Sequence, residues 1–304
     1  MSATFTQLVI LFIFIFCGFT IGRLKRIPIE KSNVLSLILV NILLPAKIFL
    51  NFSERCTLPY LKSNYPTLLI SLAILLLLVL LSLPASKLLT KDTYEQNVYR
   101  YSFTISNYAY LGYVLVEAVL GAQALTNMIL FCIPFAFYTY TFGFALLTSK
   151  GSFLKKLINP MTVAIAAGIL FGILQIPLPE LFTKALGHAS GCVGPLSMIL
   201  TGCVIASFSL KELLPNAKTL IFSALRLIVI PALILLTCLT LKRFFPLPEA
   251  VYPAAVIMAC MPCGLNTIVF PMLTGNDCKM GAAFILFSHL LSLITIPLWI
   301  LILI

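Results

Sequence analysis

The sequence predicts an all-α polytopic membrane protein, and three observations carry that prediction. Of 304 residues, 61% are hydrophobic and only 10% charged, against about 45–50% and about 25% in a soluble domain. No soluble core hides that surplus, which excludes an aqueous globular enzyme and a disordered chain. The apolar residues fall in runs of about 20, the length of a membrane span. The net charge of +11 comes from 20 Lys and Arg against 9 Asp and Glu. In a soluble protein that excess would suggest nucleic acid. Here basic loops orient a membrane protein, and no nucleic-acid partner is expected.

Ten apolar runs follow in order. The first, near 5–22, has no basic segment before it, so it is expected to be a retained span and not a cleaved signal. The second, 32–51, follows the basic stretch Arg23 to Lys31 and contains Asn41-Ile-Leu-Leu-Pro45. The third, 64–88, is mostly leucine from Leu72 to Leu83. The fourth, 97–119, is laced with polar residues, and the fifth, 124–147, contains Pro134. The loop Lys150 to Lys156 leads to the sixth, 157–175, which ends before Pro177-Leu178-Pro179-Glu180. The seventh and eighth are 187–208 and 217–241. Phe245-Pro246-Leu247-Pro248-Glu249 separates the eighth from the ninth, 250–272, and the tenth is 280–303.

Loops after odd-numbered spans hold 13 Lys and Arg, and loops after even-numbered spans hold 5. The excess places the odd-numbered loops in the cytoplasm and both termini outside it. Two halves of five spans, 1–150 and 151–304, then run in opposite directions. Internal matches support a duplication. Gly18 and Gly22 match Gly168 and Gly172, and Pro45 matches Pro195, each 150 residues on. Asn107 and Asn266 lie 159 apart, and Pro134 and Pro297 lie 163 apart. Inverted repeats are a mark of secondary transporters.

Seven of the nine cysteines lie in apolar runs as small hydrophobes, with Cys56 and Cys278 in loops. Cys260-Met261-Pro262-Cys263 has CxxC spacing but no second pair or nearby histidine, so no metal centre is expected. No cofactor is expected either.

Spans 4 and 9 place helix-weakening residues at mid-membrane depth. Span 4 contains Ser106, Asn107, Tyr108, Tyr110, Gly112 and Tyr113. Span 9 contains Pro262, Cys263, Gly264, Asn266 and Thr267. Pro262 removes a backbone donor and crowds the preceding turn. Gly264 offers no resistance to unwinding. Freed backbone groups need partners that lipid does not supply, and Asn107 and Asn266 can donate and accept. Paired interrupted spans point to a transport site. A kink that serves packing alone is the alternative for each span, and for Asn41 and Pro45 in span 2.

At this point the chain resembles a known family. Asn41-Ile-Leu-Leu-Pro45-Ala46, Asn159-Pro160, Gln175-Ile-Pro177-Leu-Pro179, Pro195-Leu-Ser-Met198, Arg226-Leu-Ile-Val-Ile-Pro231 and Ser292-Leu-Ile-Thr-Ile-Pro297-Leu-Trp299 together resemble the bacterial branch of the auxin efflux carrier family. The resemblance runs in order over essentially the whole chain. It implies ten transmembrane helices as two inverted five-helix repeats, with broken crossing helices 4 and 9. It also implies transport of a small organic anion across the bacterial inner membrane, such as malate, malonate or an auxin-like carboxylate. The long cytoplasmic loop of many plant members is missing. Three positions depart from the family's pattern: Lys47 follows Leu-Pro-Ala, His289 follows Ser288, and Tyr113-Val114 stands where a Leu-Pro is usual. Span 4 therefore has no proline of its own, and its break is expected at Asn107 and Gly112.

Ionisable groups inside spans carry an energetic penalty unless solvated or paired. Lys47 either snorkels outward or contacts a substrate carboxylate. Arg226 either snorkels or clamps a carboxylate or an internal Glu through two nitrogens. Glu117 is either an end-of-helix charge, a partner for Lys47, or a carrier of a coupling proton. His289 is either a neutral hydrogen-bonded side chain or a coupling group, since histidine titrates near physiological pH.

The expected function is secondary transport of a small organic anion by alternating access. The expected ligand-binding residues are Asn41, Pro45, Asn107, Tyr108, Tyr110, Gly112, Pro262, Cys263, Gly264, Asn266 and Arg226. Glu117, His289 and Lys47 are candidates for coupling to a proton or sodium. A homodimer is the assembly considered. The alternatives are a bile acid:sodium symporter-like carrier, whose clustered acidic ligands are absent, and a non-transporting membrane sensor. An embedded enzyme would need a nucleophile with a base, or paired His and Asp ligands, at one depth. The two histidines form no such set.

Overall fold

The computed structural model describes residues 2–26, 29–148, 158–209, 217–244 and 251–303. Their first half forms α1 (Ser2–Arg23), α2 (Ile29–Ile38), α3 (Leu44–Arg55), α4 (Leu58–Ser63), α5 (Tyr65–Leu89), α6 (Thr93–Thr104), α7 (Tyr113–Phe131), α8 (Ile133–Tyr138) and α9 (Phe144–Leu147). The second half forms α10 (Pro160–Leu174), α11 (Glu180–Ser207), α12 (Ala217–Ala224), α13 (Ile230–Phe244), α14 (Val251–Cys260), α15 (Asn266–Leu273) and α16 (Lys279–Leu303). Among the described residues the architecture is all-helical, with one isolated antiparallel bridge between Ser106 and Cys263. The basic loop at 150–156, Lys211 and the segment Phe245 to Glu249 lie outside the described residues.

Five continuous helical stretches are long and apolar enough to cross a bilayer: Asn33–Arg55, Tyr65–Leu89, Glu180–Ser207, Ala217–Arg243 and Lys279–Leu303. A sixth is the bent pair Ala124–Phe131 and Ile133–Leu147, which turns by 45°. Ten apolar runs in the sequence thus meet fewer long helices, and breaks are a main reason. The run 97–119 is split at residues 105–107, and the run 250–272 at 261–265. Large apolar side chains such as Phe16, Leu80, Leu170 and Leu301 face outward, as lipid-facing groups do.

Two of the five continuous stretches contain a π-helical turn. Leu39–Leu43 joins α2 to α3, and Leu225–Val229 joins α12 to α13. Each is closed by a hydrogen bond from a residue to the carbonyl five earlier, Leu44 to Leu39 and Ile230 to Leu225. Pro45 and Pro231 each sit two residues past such a turn. Proline lacks the N–H and crowds the previous turn, and one extra residue per turn accommodates it.

The tightest helix contacts come from glycines. α1 lies along α11, where a Cβ on Gly18 would stand 2.0 Å from the Ile199 carbonyl oxygen and one on Gly22 would stand 2.8 Å from Ala206 Cβ. α10 lies along α3, where a Cβ on Gly168 would stand 2.7 Å from Phe52 Cβ and one on Gly172 would stand 2.9 Å from the Phe52 carbonyl oxygen. Only a missing side chain permits that approach. At the molecule's centre α14 and α15 are buried along nearly their whole length.

Candidate functional site

The site grows from the two breaks. α6 ends at Thr104, where Ile105 turns to an extended conformation at φ −108° and ψ 127°. The chain restarts as a π-helical turn over Tyr108–Gly112 before α7. In the second half α14 ends at Cys260 and α15 begins at Asn266. The two breaks satisfy each other. Asn107 N–H donates to the Pro262 carbonyl at 2.8 Å. Ser106 Oγ donates to the Met258 carbonyl at 2.6 Å. Ser288 Oγ on α16 accepts from the Cys263 N–H at 3.0 Å. Backbone groups released by unwinding are thereby bonded inside the protein, as a lipid setting demands.

Side chains close the ring around the breaks. Asn266 Nδ2 donates to the Tyr101 hydroxyl at 3.0 Å. Asn107 Nδ2 lies 3.0 Å from His289 Nε2, and His289 Nδ1 lies 2.8 Å from the Ile285 carbonyl oxygen. Asn107 Oδ1 is buried without a partner. Arg226, in the π-helical turn between α12 and α13, is 0% exposed. Its Nε, Nη1 and Nη2 have no hydrogen-bond partner. Its electrostatic neighbours are Cys260 and Cys263, at the second break. The turn that carries it is held by Trp299, whose Nε1 donates to the Leu227 carbonyl at 2.8 Å. A guanidinium carries five N–H donors, and burying them unmatched is unfavourable. Among the described residues no group of three or more His, Cys, Asp or Glu converges into a metal cluster.

The family model for "membrane transport protein" matches residues 3–153 and 148–300, together nearly the whole chain. This chain belongs to the auxin efflux carrier family. It is a membrane transporter and not an enzyme. One relative in the family is an uncharacterized transporter of Methanocaldococcus jannaschii, 28% identical over 291 residues that cover 91% of each chain. Another is an uncharacterized transporter of Methanothermobacter thermautotrophicus, 23% identical over 308 residues that cover 98% of each chain.

In this carrier the structure gathers Asn107, Tyr108, Pro262, Cys263, Gly264, Asn266, Arg226 and His289 at or beside the two breaks, all buried. Gly112 belongs elsewhere in the local geometry. Its backbone is helical, at φ −61° and ψ −45°. A Cβ there would stand 2.8 Å from Met128 Cε, so it serves close packing and the break lies upstream, at 105–107. Asn41 is not brought to the breaks. It is exposed on the outward face of its π-helical turn and donates to the Leu37 carbonyl at 2.9 Å, while Ser36, Val40 and Leu44 face inward. Pro45 lies on the same stretch, where it accounts for the turn. Lys47 is half-buried and its Nζ donates to the Ala109 carbonyl at 3.0 Å, inside the π-helical turn that follows the first break. Tyr110 and Glu117 fall on described helical backbone, but their side chains lie outside the described residues.

Tyr101, Ser106 and Ser288 were not among the expected site residues. All three lie in polar stretches of the runs 97–119 and 280–303, but nothing in local sequence says which hydroxyl meets a break. A cleft of about 540 Å³ lies at the end of the bundle where α11 and α15 finish. Asn33, Phe208, Met272, Asn276 and Cys278 help to line it. Burial, with Asp277 beside it, pushes the Cys278 thiol up to about 12.

Proposed function

We propose that this carrier moves a small organic anion, a mono- or dicarboxylate such as malonate or malate, by alternating access. The observation that carries the reading is the buried, unpartnered Arg226 guanidinium beside the second break. Burying a charge without a counter-charge is strongly unfavourable, so a ligand carboxylate is the natural complement. Asn107 and Asn266 are the polar ligands, Pro262 and Gly264 keep span 9 open, and Tyr108 and Cys263 are wall residues. Lys47 steadies the restart of span 4 through Ala109.

The architecture we propose is ten spans in two inverted repeats, 1–150 and 151–304, with spans 4 and 9 crossing at their breaks and both termini outside the cytoplasm. The glycine pairs support it. Gly18 and Gly22 pack span 1 on span 7, and their sequence counterparts Gly168 and Gly172 pack span 6 on span 2. That exchange of partners is what a two-fold relation between halves produces. The antiparallel bridge between Ser106 and Cys263 suits the same axis. In that orientation the cleft at Asn33 and Cys278 is the cytoplasmic entrance.

Thermal-shift screening of the purified protein tests the site. Malonate, malate, succinate, lactate and indole-3-acetate are added with and without sodium. A ligand selective for the native state raises the melting temperature as it exceeds its dissociation constant. The expected result is a shift by at least one anion, lost in the Asn107→Ala, Asn266→Ala double variant at unchanged membrane abundance. Normal anion uptake by that double variant would sink the site.

A further inference from the structure

Both ring nitrogens of His289 lie at hydrogen-bond distance from a polar partner. Nδ1 lies 2.8 Å from the Ile285 carbonyl, which can only accept, so Nδ1 carries the hydrogen. Nε2 lies 3.0 Å from Asn107 Nδ2, so with Nδ1–H in place a neutral ring presents a bare Nε2 to the amide N–H. The consequence falls on Asn107. With Nδ2 turned to the imidazole, Oδ1 is left as a buried acceptor without a partner. In this state the side chain offers a carbonyl where a carboxylate would need a donor.

We propose that His289 and Asn107 form a proton-operated selector for the anion site, in which a proton on His289 Nε2 turns the Asn107 amide end for end. The inference rests on the anion reading above and names the coupling ion for it. Once protonated, Nε2–H needs an acceptor, and Oδ1 is the acceptor that the Asn107 side chain holds. Nδ1–H stays on Ile285. The terminal amide torsion is broad and roughly two-fold, so the turn needs no backbone change. The Asn107 backbone is held meanwhile by Pro262 on one side and by Leu111 and Gly112 on the other. After the turn Nδ2 points where Oδ1 had been and offers N–H donors to a carboxylate. One proton is taken up on the imidazole for each anion bound, and none passes to the anion.

Charge couples the two events. The charged and titratable groups near this pair include Arg226 from the α12–α13 turn, Cys260 and Cys263 from the second break, Lys47 of α3, whose Nζ bonds the Ala109 carbonyl two residues from Asn107, Tyr108 beside Asn107, and Tyr99 of α6, whose ring packs on Phe284 of α16. α15 contributes none, and the charged residues of α1 and α11 (Arg23, Glu180 and Lys184) lie toward helix ends. The described carboxylates (Glu54, Asp92, Glu95, Glu180 and Asp277) are likewise at helix ends or in loops. An imidazolium here finds no described carboxylate, so the arriving anion is its counter-charge. Each then strengthens the binding of the other by the same factor.

Titration calorimetry of full-length protein with malonate, in two buffers of different ionisation heat, reads the coupling. Malonate is the probe because its two charges match Arg226 and a protonated His289. The expected result is uptake of about one proton per anion, with affinity falling by up to about tenfold per pH unit as pH rises through the His289 titration. In His289→Gln the affinity is expected to be independent of pH and the proton uptake absent. Unchanged proton uptake in that variant, or none in the native protein, overturns the selector and leaves anion transport standing. Binding of no anion from the screening panel overturns the anion reading and the selector with it. A ligand-free readout tests the geometry separately. His188→Gln leaves His289 as the one histidine, and its ¹⁵N spectrum at alkaline pH is expected to show the Nδ1–H tautomer. The Nε2–H tautomer would overturn the selector whatever binds.

Discussion

The Tyr101 hydroxyl accepts a hydrogen bond from Asn266 Nδ2 at 3.0 Å, and both residues are buried. This bond ties α6, which enters the first break, to the first residue of α15, which leaves the second. The breaks are therefore joined by side chains as well as by the backbone bond from Asn107 to Pro262.

Tyr101→Phe removes the acceptor and keeps the ring against Phe270. A buried donor loses one partner, which destabilises by about 1 kcal/mol. The expected outcome is a modest fall in melting temperature and a several-fold loss of anion affinity, read by thermal shift with and without malonate. An unchanged affinity beside a lowered melting temperature would make the bond purely structural.

Arg226→Met gives a sharper separation. Without anion, Arg226 is a buried charge without a hydrogen-bond partner, and an apolar side chain of similar size removes its desolvation penalty. The variant is expected to melt higher than the native protein in anion-free buffer and to show no shift with malonate. Arg226→Lys keeps the charge but loses the planar fork, so its affinity is expected to fall by about tenfold or more. A variant that melts lower and still binds malonate would remove Arg226 from the site.

Both breaks were legible in the sequence, because Pro262, Asn107 and Asn266 are local signals that a membrane helix rarely carries without reason. The position of the first break was less so. It lies at residues 105–107 and leaves Gly112 in helical geometry against Met128 and Met261. That choice is made by tertiary packing, which a single span does not encode. Asn41 illustrates a second limit. In water an amphipathic stripe shows which face of a helix is inside. In lipid the outward face is as apolar as the inward one, so periodicity could not show that Asn41 points away. For Arg226 the sequence left snorkelling and clamping open; the side chain is fully buried, with Cys260 and Cys263 as electrostatic neighbours, a placement that tertiary packing sets and its own span does not encode.

The glycine contacts predict a matched pair of failures. Gly18→Leu drives a side chain into the Ile199 carbonyl, and Gly168→Leu drives one into Phe52 and the Phe49 carbonyl. Overpacking of this kind costs about 1–3 kcal/mol or more. Both variants are expected to lose thermal stability in detergent. Gly187→Leu is the control, since a Cβ there meets nothing within 4 Å. Tolerance of Leu at 18 or 168 would refute the close approach of the two helix pairs.

Cys278 reports on the cleft and on its orientation together. The thiol is buried in the cleft wall, and burial and Asp277 push it up to about 12. The thiolate is the reactive form, and a raised value means less of it at any pH below. At pH 8 only about one thiol in ten thousand is ionised. A variant retaining Cys278 alone is thus expected to react slowly with a membrane-impermeant maleimide, about tenfold faster for each pH unit of increase. If the odd-numbered loops are cytoplasmic, labelling is expected from inside-out vesicles and not from intact cells. Labelling from the outside would invert the proposed topology. In the inside-out vesicles, malonate is expected to change the labelling rate if the proposed alternating access opens and closes this cleft as the anion binds. A rate indifferent to malonate, in a protein whose melting temperature malonate raises, would place the cleft outside the transport path.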